Sequence, residues 1–156
     1  MKHAAFALLL AAALAQGAAA EPPALRDFAG NPVALAREPH ERALVVHFWA
    51  TWCASCAEEL PVVARAANAC APHGVRVRIA ATGEAAGTVR AYLAERALDF
   101  EALLDARGKA WRAAGGFGLP ANWVRSAAGD RLLPGPRTPA QWAELLGSLG
   151  CPFDPR

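Results

Sequence analysis

The chain has 156 residues, the length of one domain, and 54% of them are apolar, enough to build a core. Its formal net charge is +2, and its arginines are scattered among aspartates and glutamates rather than grouped. That pattern excludes a nucleic-acid partner held by a basic patch.

The first twenty residues read as a secretory signal. Met1-Lys2-His3 is a short positive start, an apolar run follows from Ala4 to about Ala15, and Gln16-Gly17 leads to small Ala18-Ala19-Ala20 before a cut. The apolar run is shorter than the roughly 20 residues of a membrane span, so an uncleaved anchor is the lesser reading. The expected division is therefore a signal peptide at 1–20 and one domain at 21–156. No later stretch is long and apolar enough to span a membrane. Export to the periplasm would let disulfides persist, and all four cysteines, Cys53, Cys56, Cys70 and Cys151, fall in the exported part.

Ala24–Leu35 reads as a hairpin, with Gly30-Asn31-Pro32 as its turn. Ala43–Ala50 is a dense apolar run with the length and β-branched content of a buried central strand. From Cys56 to about Asn68, Ala, Glu, Leu and Val fall at helical spacing, and Pro61 should bend that helix. Val75–Ala81 alternates valine and isoleucine with arginine and predicts a second strand. A helix over Glu84–Ala97 and a strand over Phe100–Leu104 follow. Next come a short helix at Ala110–Ala114 and strands at Ala121–Arg125 and about Arg131–Leu133. Thr138 is placed to cap a last helix, Pro139–Leu149, with Pro139 in its first turn. Strands alternating with helices predict an α/β fold with a parallel core and helices on both faces.

Cys53-Ala54-Ser55-Cys56 lies between a predicted strand and a predicted helix. A thiolate is the reactive form of cysteine, and an ordinary thiol, with a pKa of about 8.5, is mostly protonated at neutral pH. Unpaired N–H groups and the dipole at a helix N-terminus favour negative charge. Cys53 is thus placed to attack, and Cys56, one turn on, to resolve the mixed disulfide. The same spacing is half of a zinc site. His47 precedes the motif, but no second C-x-x-C or histidine pair follows, so no metal and no cofactor are expected.

The segment His47-Phe48-Trp49-Ala50-Thr51-Trp52-Cys53-Ala54-Ser55-Cys56-Ala57-Glu58-Glu59-Leu60-Pro61 resembles the active-site segment of the TlpA/ResA-like branch of the thioredoxin superfamily. The resemblance runs from about Leu25 to about Leu149. It implies a thioredoxin-like fold, a central mixed sheet flanked by helices, with the hairpin as an N-terminal extension. It also implies that Cys53 is the exposed nucleophile and Cys56 the resolving thiol. Gly118-Leu119-Pro120 matches the superfamily's cis-proline loop. That match implies a cis bond before Pro120, with Pro120 facing the disulfide and the Leu119 backbone open to a substrate strand. Trp49 is expected in the core and Trp52 on a contact surface.

The resemblance implies a buried acid at Glu59, which lies on the same helix face as Cys56 and would exchange protons with the thiols as burial raises its pKa. At the position of His47 thioredoxin has a buried Asp, and many TlpA-like proteins have Asn. The imidazole is either a base for Cys56 or a hydrogen-bonded group at the core edge. Asn122, Trp123 and Arg125 also depart from the usual pattern and are expected near the substrate groove. Four cysteines allow three pairings. Cys70 and Cys151 both close elements and form the candidate structural disulfide, against two free thiols or an intermolecular bond.

The leading expectation is a periplasmic reductase of secreted protein disulfides, of the cytochrome c or copper-site maturation type. By the same resemblance, a membrane donor of the DsbD/CcdA type would supply its electrons. The alternatives are a DsbA-like oxidase and a non-enzymatic copper-binding thiol chaperone using Cys53, Cys56 and His47.

Overall fold

The computed structural model describes residues 24–156. The expected signal peptide at 1–20 lies outside the described residues. Seven strands form one sheet among them, in the order β2-β1-β5-β4-β3-β6-β7.

At its centre is β3, Ala43–Trp49, whose seven residues are all buried. A strand covered on both faces needs no polar alternation, which is why this segment reads as a continuous apolar run. Its odd residues Ala43, Val45 and Trp49 pack in one cluster with side chains of three helices, α1 (Ala54–Cys70), α2 (Ala86–Glu95) and α4 (Pro139–Ser148). Its even residues Leu44, Val46 and Phe48 pack in a second cluster, with Leu25, Leu35, Leu103 and Trp123. Helices were expected on both faces. Among the described residues, α3 (Lys109–Ala113) is the one helix that covers the second face, and Leu25 and Leu35 from the N-terminal segment also pack there.

β3 pairs in parallel with β4 (Val75–Thr82), and β4 with β5 (Ala102–Asp105). On its other side β3 pairs antiparallel with β6 (Ala121–Ser126), and β6 with β7 (Gly129–Pro134), so the sheet is mixed. The hairpin strands β1 (Leu25–Arg26) and β2 (Pro32–Val33) extend the sheet on the β5 edge, where Arg26 stands opposite Leu104. The Asp27 carboxylate closes their turn by accepting the N–H groups of Ala29 and Asn31.

α1 begins two residues before the predicted Cys56, because Cys53 itself is the N-cap. It also continues through Pro61 to Cys70. Proline removes one backbone donor, but Cys56, Glu59, Leu60 and Val63 hold the helix against the sheet on one buried face. Phe100, expected to open β5, instead packs its ring against Trp49 at 6.4 Å between centroids. α4 starts as predicted, with a capping box in which Thr138 and Gln141 each accept the other's backbone N–H. A disulfide joins Cys70, the last residue of α1, to Cys151, 81 positions on and just past α4.

Candidate active site

Of the sequence-predicted residues, Cys53 and Cys56 follow the C-terminal end of β3, whereas Cys70 and Cys151 are bridged at the far end of α1. Strand β3 ends at Trp49, Thr51-Trp52 turn, and Cys53 caps α1 with an extended backbone, φ −90° and ψ 101°. Two contacts fix that turn. The Cys53 N–H donates to the Ala50 carbonyl at 3.1 Å. The Glu84 carboxylate, from the segment after β4, accepts the Thr51 backbone N–H at 2.7 Å and the Thr51 hydroxyl at 2.5 Å.

Cys53 and Cys56 are joined in a disulfide, with Cα atoms 5.2 Å apart. The Cys53 Sγ accepts the Cys56 N–H at 3.3 Å, and the Ser55 hydroxyl lies 3.7 Å from it. One of the unpaired donors at the helix N-terminus is therefore aimed at this sulfur, the arrangement that stabilises a thiolate. Cys53 retains a small exposed fraction, whereas Cys56 has none, so a partner meets Cys53 first. Trp52 beside it is 72% exposed, and Trp49 is fully buried in the core.

The Leu119–Pro120 bond is cis. Pro120 is buried, and Leu119 packs against the cluster that contains both Cys53 and Cys56.

Behind the disulfide lies a buried polar group. Glu59 is 3% exposed, and His47 and Asn122 are fully buried. His47 and Asn122 stand directly opposite each other on β3 and β6, and His47 Nδ1 lies 2.9 Å from Asn122 Oδ1. The Nδ1–H tautomer fits this contact, with Nδ1 donating to the amide oxygen. The same Nδ1 is 3.7 Å from Glu59 Oε2, and the His47 ring meets the Trp142 indole edge-on at 5.8 Å. Glu59 Oε1 accepts the backbone N–H of Arg137, while Oε2 has no hydrogen-bond partner.

Burial pushes the Glu59 carboxyl up to about 7, against the Arg137 backbone N–H and the Arg137 charge, which favour the anion. The Trp142 indole N–H acts weakly in the same direction as Arg137, although it closes no hydrogen bond of normal geometry. Burial pulls His47 down to about 4, opposed by its hydrogen bond to Asn122 and reinforced by Arg137. His47 is thus a neutral imidazole at neutral pH, and the close pair is not an ion pair. Of the two, Glu59 is the group able to take up and release a proton near pH 7. His47 hydrogen-bonds Asn122, and among the described residues it forms no hydrogen bond to the Cys56 sulfur.

Two expectations change. Trp123 and Arg125 were expected near the substrate groove. Strand alternation turns Trp123 into the second cluster, away from the disulfide, and Arg125 stacks its guanidinium on it at 4.6 Å. Glu84, Arg137 and Trp142 were not singled out in the sequence. Glu84 lies 33 positions from Thr51, and Arg137 contributes a backbone N–H, which no side-chain pattern encodes. A cleft of about 370 Å³ lined by Arg131, Leu133, Arg137, Gln141 and Glu144 contains neither redox cysteine. No helix among the described residues is long and apolar enough to cross a membrane.

Comparison with curated proteins finds no match. Among solved structures, the chain is similar to MTB dsbF, with 20% identity over 83% of this chain and 96% of that one and a TM-score of 0.69, a likeness of fold. It is also similar to a thiol:disulfide interchange protein of the thioredoxin family from Chlorobium tepidum. There the identity is 26%, the coverage 83% and 96%, and the TM-score 0.65. A secreted Mycobacterium tuberculosis disulfide oxidoreductase homologous to E. coli DsbE matches at 25% identity, 82% and 94% coverage, and a TM-score of 0.64. Residues 16–129 match the AhpC/TSA family, most of the chain. With a mixed thioredoxin-like sheet, a C-x-x-C disulfide at the mouth of α1 and these neighbours, the chain belongs to the AhpC/TSA family of the thioredoxin superfamily and is a thiol–disulfide oxidoreductase.

Proposed function

We propose that this protein is an exported, periplasmic reductase of protein disulfides, with residues 1–20 as its signal peptide and 21–156 as its working domain. The observation that carries the reading is Cys53 at the N-cap of α1, its sulfur held by the Cys56 N–H and backed by a buried acid poised near neutrality. The secreted location and disulfide chemistry named for the Mycobacterium tuberculosis neighbour support export.

In this reading the Cys53 thiolate attacks one sulfur of a substrate disulfide. A Cys53–substrate S–S bond forms as the substrate S–S bond breaks, and the first substrate thiolate leaves. Glu59 takes the Cys56 thiol proton. The Cys56 thiolate then attacks Cys53 Sγ, breaking the mixed disulfide and releasing the second substrate thiolate. Two electrons have passed from the protein dithiol to the substrate, and the released thiolates take up protons. Trp52, Leu119 and Pro120 form the surface that receives the substrate. His47 acts through Glu59 as a positioning residue. A membrane donor of the DsbD/CcdA type would return the electrons, and cytochrome c or copper-site maturation is the class of client.

The reduction potential of Cys53–Cys56 tests the direction. Equilibration with glutathione or dithiothreitol buffers should give a value near that of thioredoxin, about −270 mV. A value near −120 mV would make the protein a DsbA-like oxidase instead.

A further inference from the structure

Two large apolar side chains are strongly exposed among the described residues, Trp52 at 72% and Phe117 at 80%. Trp52 belongs to the turn that leads into the disulfide, and Phe117 to the loop that leads into the cis-proline. Trp52 immediately precedes Cys53, and Phe117 lies three residues before the cis-proline Pro120. Single exposed apolar residues are ordinary on protein surfaces. Phe117 differs in how it is held.

The loop beneath Phe117 is braced on both sides by Trp111. The Gly116 N–H donates to the Trp111 carbonyl at 2.8 Å, and the Trp111 indole Nε1–H donates to the Gly118 carbonyl at 3.2 Å. The indole packs so closely under the loop that a Cβ at Gly116 would lie 2.2 Å from its Nε1, so only glycine admits it there. A braced loop presents the phenyl ring to solvent at low cost in conformational entropy, which is what a contact residue requires. Phe117 and Leu119 make no backbone hydrogen bonds among the described residues, leaving main-chain donors and acceptors open to an extended segment. The two segments that carry these aromatics are themselves uncharged. Residues 52–57 and residues 113–124 contain no Asp, Glu, Lys or Arg.

We propose that Phe117 is a specificity-determining residue that, with Trp52, forms an aromatic clamp across the redox disulfide. The clamp selects an extended protein segment bearing an apolar side chain beside the cysteine being exchanged. This rests on the reading of Cys53–Cys56 as the reacting pair and adds the class of substrate. Two aromatic side chains on loop segments without a basic residue favour an apolar neighbour and offer an acidic one no cation within those segments.

The test uses the full protein, reduced with dithiothreitol and freed of it, reacting with two synthetic decapeptides. Each carries one cysteine as a mixed disulfide with 2-mercaptoethanol. Leucines flank the cysteine in one peptide and aspartates in the other. Each turnover releases one peptide thiol and one 2-mercaptoethanol and oxidises one Cys53–Cys56 pair. The native protein should prefer the leucine peptide by about tenfold in second-order rate, the scale of one apolar contact. In Phe117→Ser that ratio should fall to about two, and in Phe117→Leu it should be largely retained. A Phe117→Ser protein that keeps the native ratio would overturn the clamp, as would a native protein that does not discriminate between the peptides. Failure to reduce either peptide, with no Cys53–Cys56 disulfide formed, would instead overturn the reductase reading.

Discussion

Glu59 and His47 occupy one buried site, and burial moves them in opposite directions. Glu59 is raised from its ordinary 4.5 to about 7. Between those values the folded protein holds a proton that the unfolded chain has released, so stability falls as pH rises through that window. His47 is lowered from 6.5 to about 4. Between pH 4 and 6.5 the unfolded chain holds a proton that the folded protein lacks, so stability rises with pH there. From 4.5 to 6.5 the two oppose one another, because the folded pair is acid plus neutral imidazole and the unfolded pair is carboxylate plus imidazolium. Glu59→Gln should therefore unmask a rise in stability from pH 4 to 6.5, and His47→Asn a fall from 4.5 to 7. Each slope should reach up to about 1.4 kcal/mol per pH unit. Urea unfolding across pH 4 to 7.5 checks both, and curves parallel to the native one would refute the coupling. Glu59→Gln should also slow disulfide exchange at pH 7 by on the order of a hundredfold, the usual scale of a lost proton carrier.

At the scale of elements, the site depends on how β3 hands over to α1. The turn at Thr51-Trp52 has no regular structure to support it, and the Glu84 carboxylate supplies two hydrogen bonds instead. Glu84→Ala leaves the Thr51 N–H without that partner. It should cost about 1–3 kcal/mol in chemical denaturation, as expected for losing charge-assisted hydrogen bonds. Glu84→Gln, which keeps one acceptor, should recover part of the loss. A native midpoint in Glu84→Ala would show that the turn holds itself. The continuity of α1 through Pro61 follows the same logic, since its buried face outweighs one missing backbone donor.

For the whole molecule, the Cys70–Cys151 disulfide closes a loop of 81 positions that includes β4, β5, β6, β7 and the later helices. Chain entropy makes such a bridge worth about 4–5 kcal/mol. The double variant Cys70→Ser with Cys151→Ser should lose about that much by denaturant titration while still forming the Cys53–Cys56 disulfide. A loss below about 1 kcal/mol would show that α1 and α4 dock firmly without the tether. The bridge ties the last residue of α1 to the chain just past α4, and both helices pack on the same face of the sheet.

Much of this was legible in the sequence, because it depends on local pattern. The buried β3, the helix after C-x-x-C, the capped α4 and the cis-proline motif are each written in a few neighbouring residues. The resemblance carried by His47–Pro61 also pointed to the family. Contacts between distant residues needed the tertiary structure. His47 with Asn122, Thr51 with Glu84 and Glu59 with the Arg137 backbone are joined only when strand order and register bring them together. The placement of Trp123 is likewise tertiary, since strand alternation within the assembled sheet decides which face a side chain joins. Cysteine count left three pairings open, and the packing of α1 against α4 joined Cys70 to Cys151. Residue type determined which groups can exchange electrons and protons. Burial, a property of the folded chain alone, decided at what pH the protons move.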